Sequence, residues 1–322
     1  MSDSVTIVLD SGDLVSAVCG SNDNNLKVLE RSLGGKLAVR GNEVRMEGLN
    51  DLDAERFRAV MNNLISAARL GEWPSPEFVQ ALAGNSEELP DERGTERADA
   101  IRSACICIPH GFGKVFPRSA NQAEYVQGMR KSEVCFCAGP AGTGKTYLAI
   151  ANALSLVLSK KIRKLVLTRP VVEAGESLGF LPGDLSQKIS PYLRPLYDAM
   201  EALIPYEVIH RLEENRVIEI APLAYMRGRS LNGAFIILDE AQNTTKEQMK
   251  MFLTRLGQGS RAVITGDVTQ IDLPKHIYSG LLHALSILKD VSGIHFSYLN
   301  TADVVRNPLI KKIIQAYNHE EK

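Results

Sequence analysis

At roughly 150 residues per domain, a chain of 322 residues has room for about two domains. With 44% hydrophobic and 23% charged residues, wholesale disorder is excluded; 37 basic against 38 acidic residues exclude a globally basic nucleic-acid coat, though not a local basic patch. No apolar run reaches the length of about 18 residues that a spanning helix needs, and the start Met1-Ser2-Asp3-Ser4 lacks a secretory pattern. The expected setting is a reducing cytoplasm with no membrane partner, because the 5 cysteines are too few and scattered for a disulfide scaffold.

The first region, residues 1–73, reads as a small α+β module. Alternating Val5, Ile7 and Leu9 predict a strand, and Leu26, Leu29 and Leu33 predict a helix that Gly34-Gly35 would end. Two short strands, Leu37–Val39 and Val44–Met46, flank the turn signal Gly41-Asn42. Phe57, Val60, Met61, Leu64, Ile65 and Ala68 then mark one face of a long helix. Residues 74–121 read as a linker and connecting segment, with the charged stretch Asn85–Asp99 exposed.

From residue 122 to 322 apolar strands alternate with helices. Strands are expected at Val134–Ala138, Leu165–Thr168, Val217–Ile220, Phe235–Leu238, Ala262–Thr265 and Ile294–Tyr298. Helices are expected at Lys145–Ser159 and Thr245–Leu256, the second opened by a capping box of Thr244 and Glu247. This order predicts an α/β fold with a mostly parallel sheet and helices on both faces. Cys105/Cys107 and Cys135/Cys137 are C-x-C pairs, which zinc sites also use. Cys135 and Cys137, however, sit in a buried-strand pattern, where cysteine acts as a small hydrophobe.

The chemistry begins at Gly139-Pro140-Ala141-Gly142-Thr143-Gly144-Lys145-Thr146, a full G-x-x-x-x-G-K-[ST] match between a strand and a helix. Glycines let the backbone curl its N–H groups around phosphate, and the helix adds its positive end. Lys145 supplies a cation, and the Thr146 hydroxyl suits Mg²⁺. The strand 235–238 ends in Asp239 and Glu240. In a parallel sheet that end faces the ligand crevice, so Asp239 would hold Mg²⁺ and Glu240 would activate water. Gln270, in Thr265-Gly266-Asp267-Val268-Thr269-Gln270, can hydrogen-bond phosphate and water together.

These stretches, with Leu167–Glu176, Leu178–Asp184, Ala221–Arg229 and Asp239-Glu240-Ala241-Gln242-Asn243, make the sequence resemble the PhoH-like family of P-loop ATPases. The same set resembles the first motor domain of superfamily 1 helicases. The resemblance implies a RecA-like P-loop core behind a KH-like N-terminal module, ATP and Mg²⁺ as ligands, and an adenine contact by Gln122. It also implies a hexameric ring, RNA metabolism as the setting, and rRNA maturation with an endoribonuclease or ribosome-associated partner. Two departures stand out. Asn307 occupies the place where the family pattern has His after Arg306, and the first region shows no helix-GxxG-helix clamp, so scaffold and RNA-binding roles both stay open there.

Arg169, Arg227, Arg229 and Arg306 lie in or near these motifs. Each is either a structural ion pair or a phosphate-facing guanidinium, with Arg306 the first choice for a finger. The cluster Lys160, Lys161, Arg163 and Lys164 reads either as a helix end or as a nucleic-acid contact, and the segment Val171–Met200 as pore lining or subunit packing. Two functions follow from the motifs: a Mg²⁺-dependent ATPase, or an ATP-switched binding scaffold with negligible turnover.

Overall fold

A computed structural model describes residues 3–84, 94–170 and 185–304. Two compact units form, one from residues 1–105 and 114–123, the other from residues 106–113 and 124–322.

The first unit builds on β1 (Asp3–Val8), α1 (Gly12–Cys19), α2 (Asn24–Leu33), β2 (Lys36–Arg40), β3 (Glu43–Leu49) and α3 (Asp51–Arg69). Its antiparallel sheet has the order β1-β3-β2. In β3, Val44 and Met46 alternate inward with exposed Glu43, Arg45 and Glu47, the pattern of a sheet covered on one face. Phe57, Met61 and Leu64 of α3 and Leu29 of α2 fill that core. Gly34 takes the left-handed conformation that closes α2, at φ 78°. Asn50 caps α3 by accepting the Asp53 N–H at 2.8 Å. α4 (Pro76–Ala83) follows, and its Phe78, Val79 and Leu82 join the same core, which therefore extends past residue 73.

Connecting residues form α5 (Gly94–Ser103), β4 (Ile106–Ile108), β5 (Gly113–Val115) and α6 (Ala120–Lys131). Residues 94–99 belong to a helix rather than to an exposed linker. Among its described side chains, Ala98 and Ile101 are the buried ones, too few for a periodic signal among the charges.

The second unit carries β6 (Val134–Ala138), α7 (Lys145–Leu158), β7 (Lys164–Arg169), α8 (Leu185–Glu201), α9 (Tyr206–Glu214), β8 (Ile218–Pro222), β9 (Ala234–Leu238), α10 (Lys246–Leu253), β10 (Arg261–Gly266), α11 (Gly280–Ile287) and β11 (Ile294–Tyr298). The six-stranded sheet has the order β11-β6-β10-β9-β7-β8, and its strand pairs are parallel. One face packs Ile236, Leu238, Ala262 and Ile264 against Met249 and Phe252 of α10 and Leu281 of α11. α7 lies along β7, β9 and β10, where the alternate residues point to the opposite face. Helices on both faces explain why β9 is buried throughout. The α/β class read from the sequence is the observed one.

The cap of α10 sits one residue later than expected. Thr245 accepts the Gln248 N–H at 3.2 Å, and the Gln248 side chain accepts the Thr245 N–H at 2.9 Å. Thr244 is diverted because its buried hydroxyl donates to the Ala241 carbonyl at 2.7 Å, closing a preceding turn. Among the described residues, no helix is long and apolar enough to cross a membrane.

At the β8 edge Arg229 grips Glu219 with two N–H groups, at 2.5 and 2.9 Å, and Lys164 adds a third contact at 2.5 Å. The ion-pair alternative thus holds for Arg229, while Arg227 is exposed. The Arg229 hydrogen bonds, partly opposed by burial and aided by Lys164, lower the Glu219 pKa from 4.5 to about 2. The carboxylate's stabilisation is therefore present above the ordinary value and lost as pH falls through the folded one. Denaturant midpoints measured between pH 4.5 and 2 should fall less steeply for Glu219→Gln than for the unmodified chain. Parallel slopes would remove this assignment.

Candidate functional site

The carboxyl ends of β6, β10, β9 and β7 form one cleft of about 300 Å³, lined by Gly142, Gly144, Lys145, Thr146, Arg169, Asp239, Glu240, Asp267 and Gln270 among others. Sheet order explains the convergence. β10 stands between β6, which leads into the phosphate loop, and β9, which ends at the carboxylates. The loop after β10 therefore meets both.

The phosphate loop leaves β6 and turns through Gly142 at φ 81° and Gly144 at φ 78°. These are left-handed values that glycine adopts without a Cβ penalty. Lys145 opens α7 and is buried. Its ammonium donates to the carbonyls of Gly139 at 2.6 Å and Pro140 at 2.8 Å. Thr143 Oγ1 donates to the same Pro140 carbonyl at 2.8 Å, and the Ala141 N–H donates to Asp267 Oδ2 at 2.9 Å. Burial lowers the Lys145 pKa, while Cys137, Asp267, Asp239 and Glu240 act in the opposite sense. The loop thus offers a desolvated cation and an amide satisfied by a carboxylate, a donor set that suits phosphate oxygens.

Asp239 is buried and serves two hydroxyls. Thr146 Oγ1 and Thr265 Oγ1 each donate to its Oδ1 at 2.7 Å. A hydroxyl and a carboxylate in contact are hard oxygen donors matched to Mg²⁺, which keeps several waters and needs few protein ligands. Among the described residues no group of three or more His, Cys, Asp and Glu is placed to hold an ion.

Glu240 follows with φ 52°, a left-handed backbone unusual outside glycine. Its Oε1 lies 2.8 Å from Arg169 Nη2, and its Oε2 accepts Gln242 Nε2 at 2.5 Å. Gln242 is fully buried and also accepts the Asp267 N–H at 3.0 Å, so it ties the carboxylate pair to the loop after β10. Asp267 Oδ1 in turn holds the Thr269 N–H at 2.9 Å and hydroxyl at 2.6 Å, which folds that loop so that exposed Gln270 borders the cleft.

The structure therefore assembles Lys145, Thr146, Asp239, Glu240 and Gln270 in one place with the loop glycines. Gln122 lies in the first unit at the start of α6, where its Oε1 accepts the Arg118 N–H at 2.6 Å; its adenine contact stays an implication of the resemblance. Arg306, the Asn307 departure, the 171–184 motifs and the end of the chain lie outside the described residues. Asp267, Gln242 and Thr265 were in the motifs without an assigned part, and Arg169, read as an ion pair or a phosphate-facing guanidinium, is ion-paired with Glu240. Parallel register was the missing signal. Thr168 pairs with Leu238 and Ile264 with Leu238, which puts Arg169, Asp239 and Thr265 at one level. Tyr125 was also missed; it is fully buried and donates to the Lys145 carbonyl at 3.2 Å. Cys135 and Cys137 are buried in β6, and burial pushes the Cys135 thiol up to about 12.

Known proteins resemble the chain over most of its length. The family model for PhoH-like protein matches residues 114–318. A PhoH-like protein of Mycobacterium tuberculosis (strain ATCC 25618 / H37Rv) is 49% identical over 315 residues, 96% of this chain and 86% of that one. A PhoH-like protein of Bacillus subtilis (strain 168) is 44% identical over 316 residues, 97% of this chain and 96% of that one. Protein PhoH of Escherichia coli (strain K12) is 39% identical over 272 residues, 84% of this chain and 75% of that one. Similarity of this extent, with the phosphate loop and paired acids inside the matched span, shows that the chain belongs to the PhoH-like family and carries its P-loop nucleotide-binding fold.

Proposed function

We propose that the chain is a Mg²⁺-dependent ATPase that hydrolyses ATP to ADP and phosphate and spends the energy on RNA in the cytoplasm. The observation that carries this reading is the meeting of Lys145, the Thr146–Asp239 pair and Glu240 in one cleft. Lys145 and the loop amides would exchange their carbonyl and carboxylate partners for phosphate oxygens. Thr146 and Asp239 would hold Mg²⁺, whose charge offsets that of the phosphates. Glu240 takes the proton of the water whose oxygen bonds to the γ-phosphorus as the bond to ADP breaks, and Gln270 senses the γ-phosphate.

RNA as the object of the work, a nuclease or ribosome-associated partner and a hexameric ring rest on the family resemblance. The ring has one supporting physical argument. A single α/β unit lines the cleft, and head-to-tail contacts that close into a ring would bring a neighbour's arginine to it.

The alternative, an ATP-switched scaffold with negligible turnover, has support in the Arg169–Glu240 contact, which occupies the proposed base. Phosphate release decides between them. With Mg²⁺ and ATP, at a concentration where the oligomer forms, turnover is expected without RNA and is expected to rise with single-stranded RNA. Binding of ATP with no release in either condition would leave the scaffold reading.

A further inference from the structure

Arg169 ends β7 and is committed on three sides. Its Nη2 lies 2.8 Å from Glu240 Oε1, its Nη1 donates to the Tyr192 carbonyl of α8 at 3.1 Å, and its Nε stands 3.9 Å from Asp239 Oδ2. The other oxygen of Glu240 is taken by Gln242. Both oxygens of the proposed base are thus engaged by N–H donors, one from Arg169 and one from Gln242. Arg169 nevertheless lines the phosphate cleft together with Lys145. A guanidinium fork fits phosphate as well as carboxylate, so Arg169 has two competing partners within one pocket.

We propose, resting on the ATPase reading, that Arg169 is a two-position residue. Before a triphosphate binds, it holds Glu240 idle. The terminal phosphate draws the guanidinium away, and Glu240 is released to accept a proton from water. A diphosphate lacks the group that competes for Arg169 and leaves Glu240 held. The free base is then produced only when there is a bond to hydrolyse. Because the same side chain holds Tyr192, its departure also frees α8, which gives the exchange a route out of the pocket.

The idea predicts a specific energetic coupling, measurable by binding alone. The full-length chain is titrated calorimetrically with a non-hydrolysable ATP analogue and with ADP, both with Mg²⁺. Four forms are compared: unmodified, Glu240→Gln, Arg169→Gln and the double variant. With Arg169 present, Glu240→Gln removes the competitor and should tighten the analogue by about 10-fold, the size of a charged hydrogen bond. In the Arg169→Gln background the same change should alter affinity by less than about twofold. ADP affinity should stay within about twofold across all four forms.

Equal tightening in both backgrounds would mean that Glu240 merely repels phosphate, and the proposal is lost. It is lost equally if Glu240→Gln has no effect beside Arg169, or if ADP responds as the analogue does. Should Arg169→Gln not fold, Arg169→Lys replaces it. Lysine keeps the charge but has no fork to span Glu240 and Tyr192, so the coupling should shrink below that of the unmodified chain, and full coupling would count against the idea. Failure of both nucleotides to bind the unmodified chain removes the ATPase reading and this proposal together. Binding with an uncoupled cycle removes the proposal alone.

Discussion

Glutamine in place of Glu240 is expected to slow phosphate release by about 10²- to 10⁴-fold while ATP binding persists. The amide is nearly isosteric, and the groups proposed to hold phosphate and metal, Lys145 and the Thr146–Asp239 pair, keep their own hydrogen bonds without it. What is lost is the proton acceptor. Glu240 has few substitutes, since its left-handed backbone at φ 52° and its contacts to Arg169 and Gln242 aim the carboxylate into the cleft. Rapid-quench single turnover with calorimetry on the same preparation separates chemistry from binding. Turnover equal to that of the unmodified chain would show that another group handles the proton.

Removing the cation has the second large effect. Lys145→Ala should weaken Mg²⁺-ATP binding by about 30-fold or more, the usual outcome when one partner of a buried, hydrogen-bonded charge pair is cut away. Lys145 is 8% exposed, and among the described residues its ammonium donates to the Gly139 and Pro140 carbonyls, so a phosphate oxygen would be an anionic neighbour within bonding distance. The fold should survive, because β6 and α7 are held by buried apolar residues such as Phe136, Leu148 and Leu154. Calorimetry for affinity and circular dichroism for melting check both parts. Unchanged affinity in a well-folded variant would move the nucleotide site elsewhere.

Much of this was readable before any coordinates. The strands of the parallel sheet came out within a residue or two, because each is a short, largely apolar run bounded by polar turns, and the four central ones are buried along most of their length. The phosphate loop and acid pair were equally plain, since their chemistry needs particular residues at particular spacings. Other elements escaped for physical reasons. α1 spans only eight residues, too short for a helical period to register. α8 contains Pro191 and Pro195, which ordinarily argue against a helix, so the sequence predicts no helix in its stretch, which reads as pore lining or subunit packing. The one-residue shift of the α10 cap came from tertiary demand, with Thr244 buried and Thr245 left at the surface. The partnership of Arg169 with Glu240 depends on strand register, which single-chain patterns do not encode.

The placement of β10 between β6 and β9 has a metric consequence. Neighbouring strands lie about 4.8 Å apart, so two spacings set roughly 10 Å between the strand that anchors the nucleotide's phosphates and the strand that carries the acids. The phosphate loop and the start of α7 close that gap from above, since Thr146 Oγ1 reaches Asp239 Oδ1 at 2.7 Å, so the acids stand beside the loop although their strands are not neighbours.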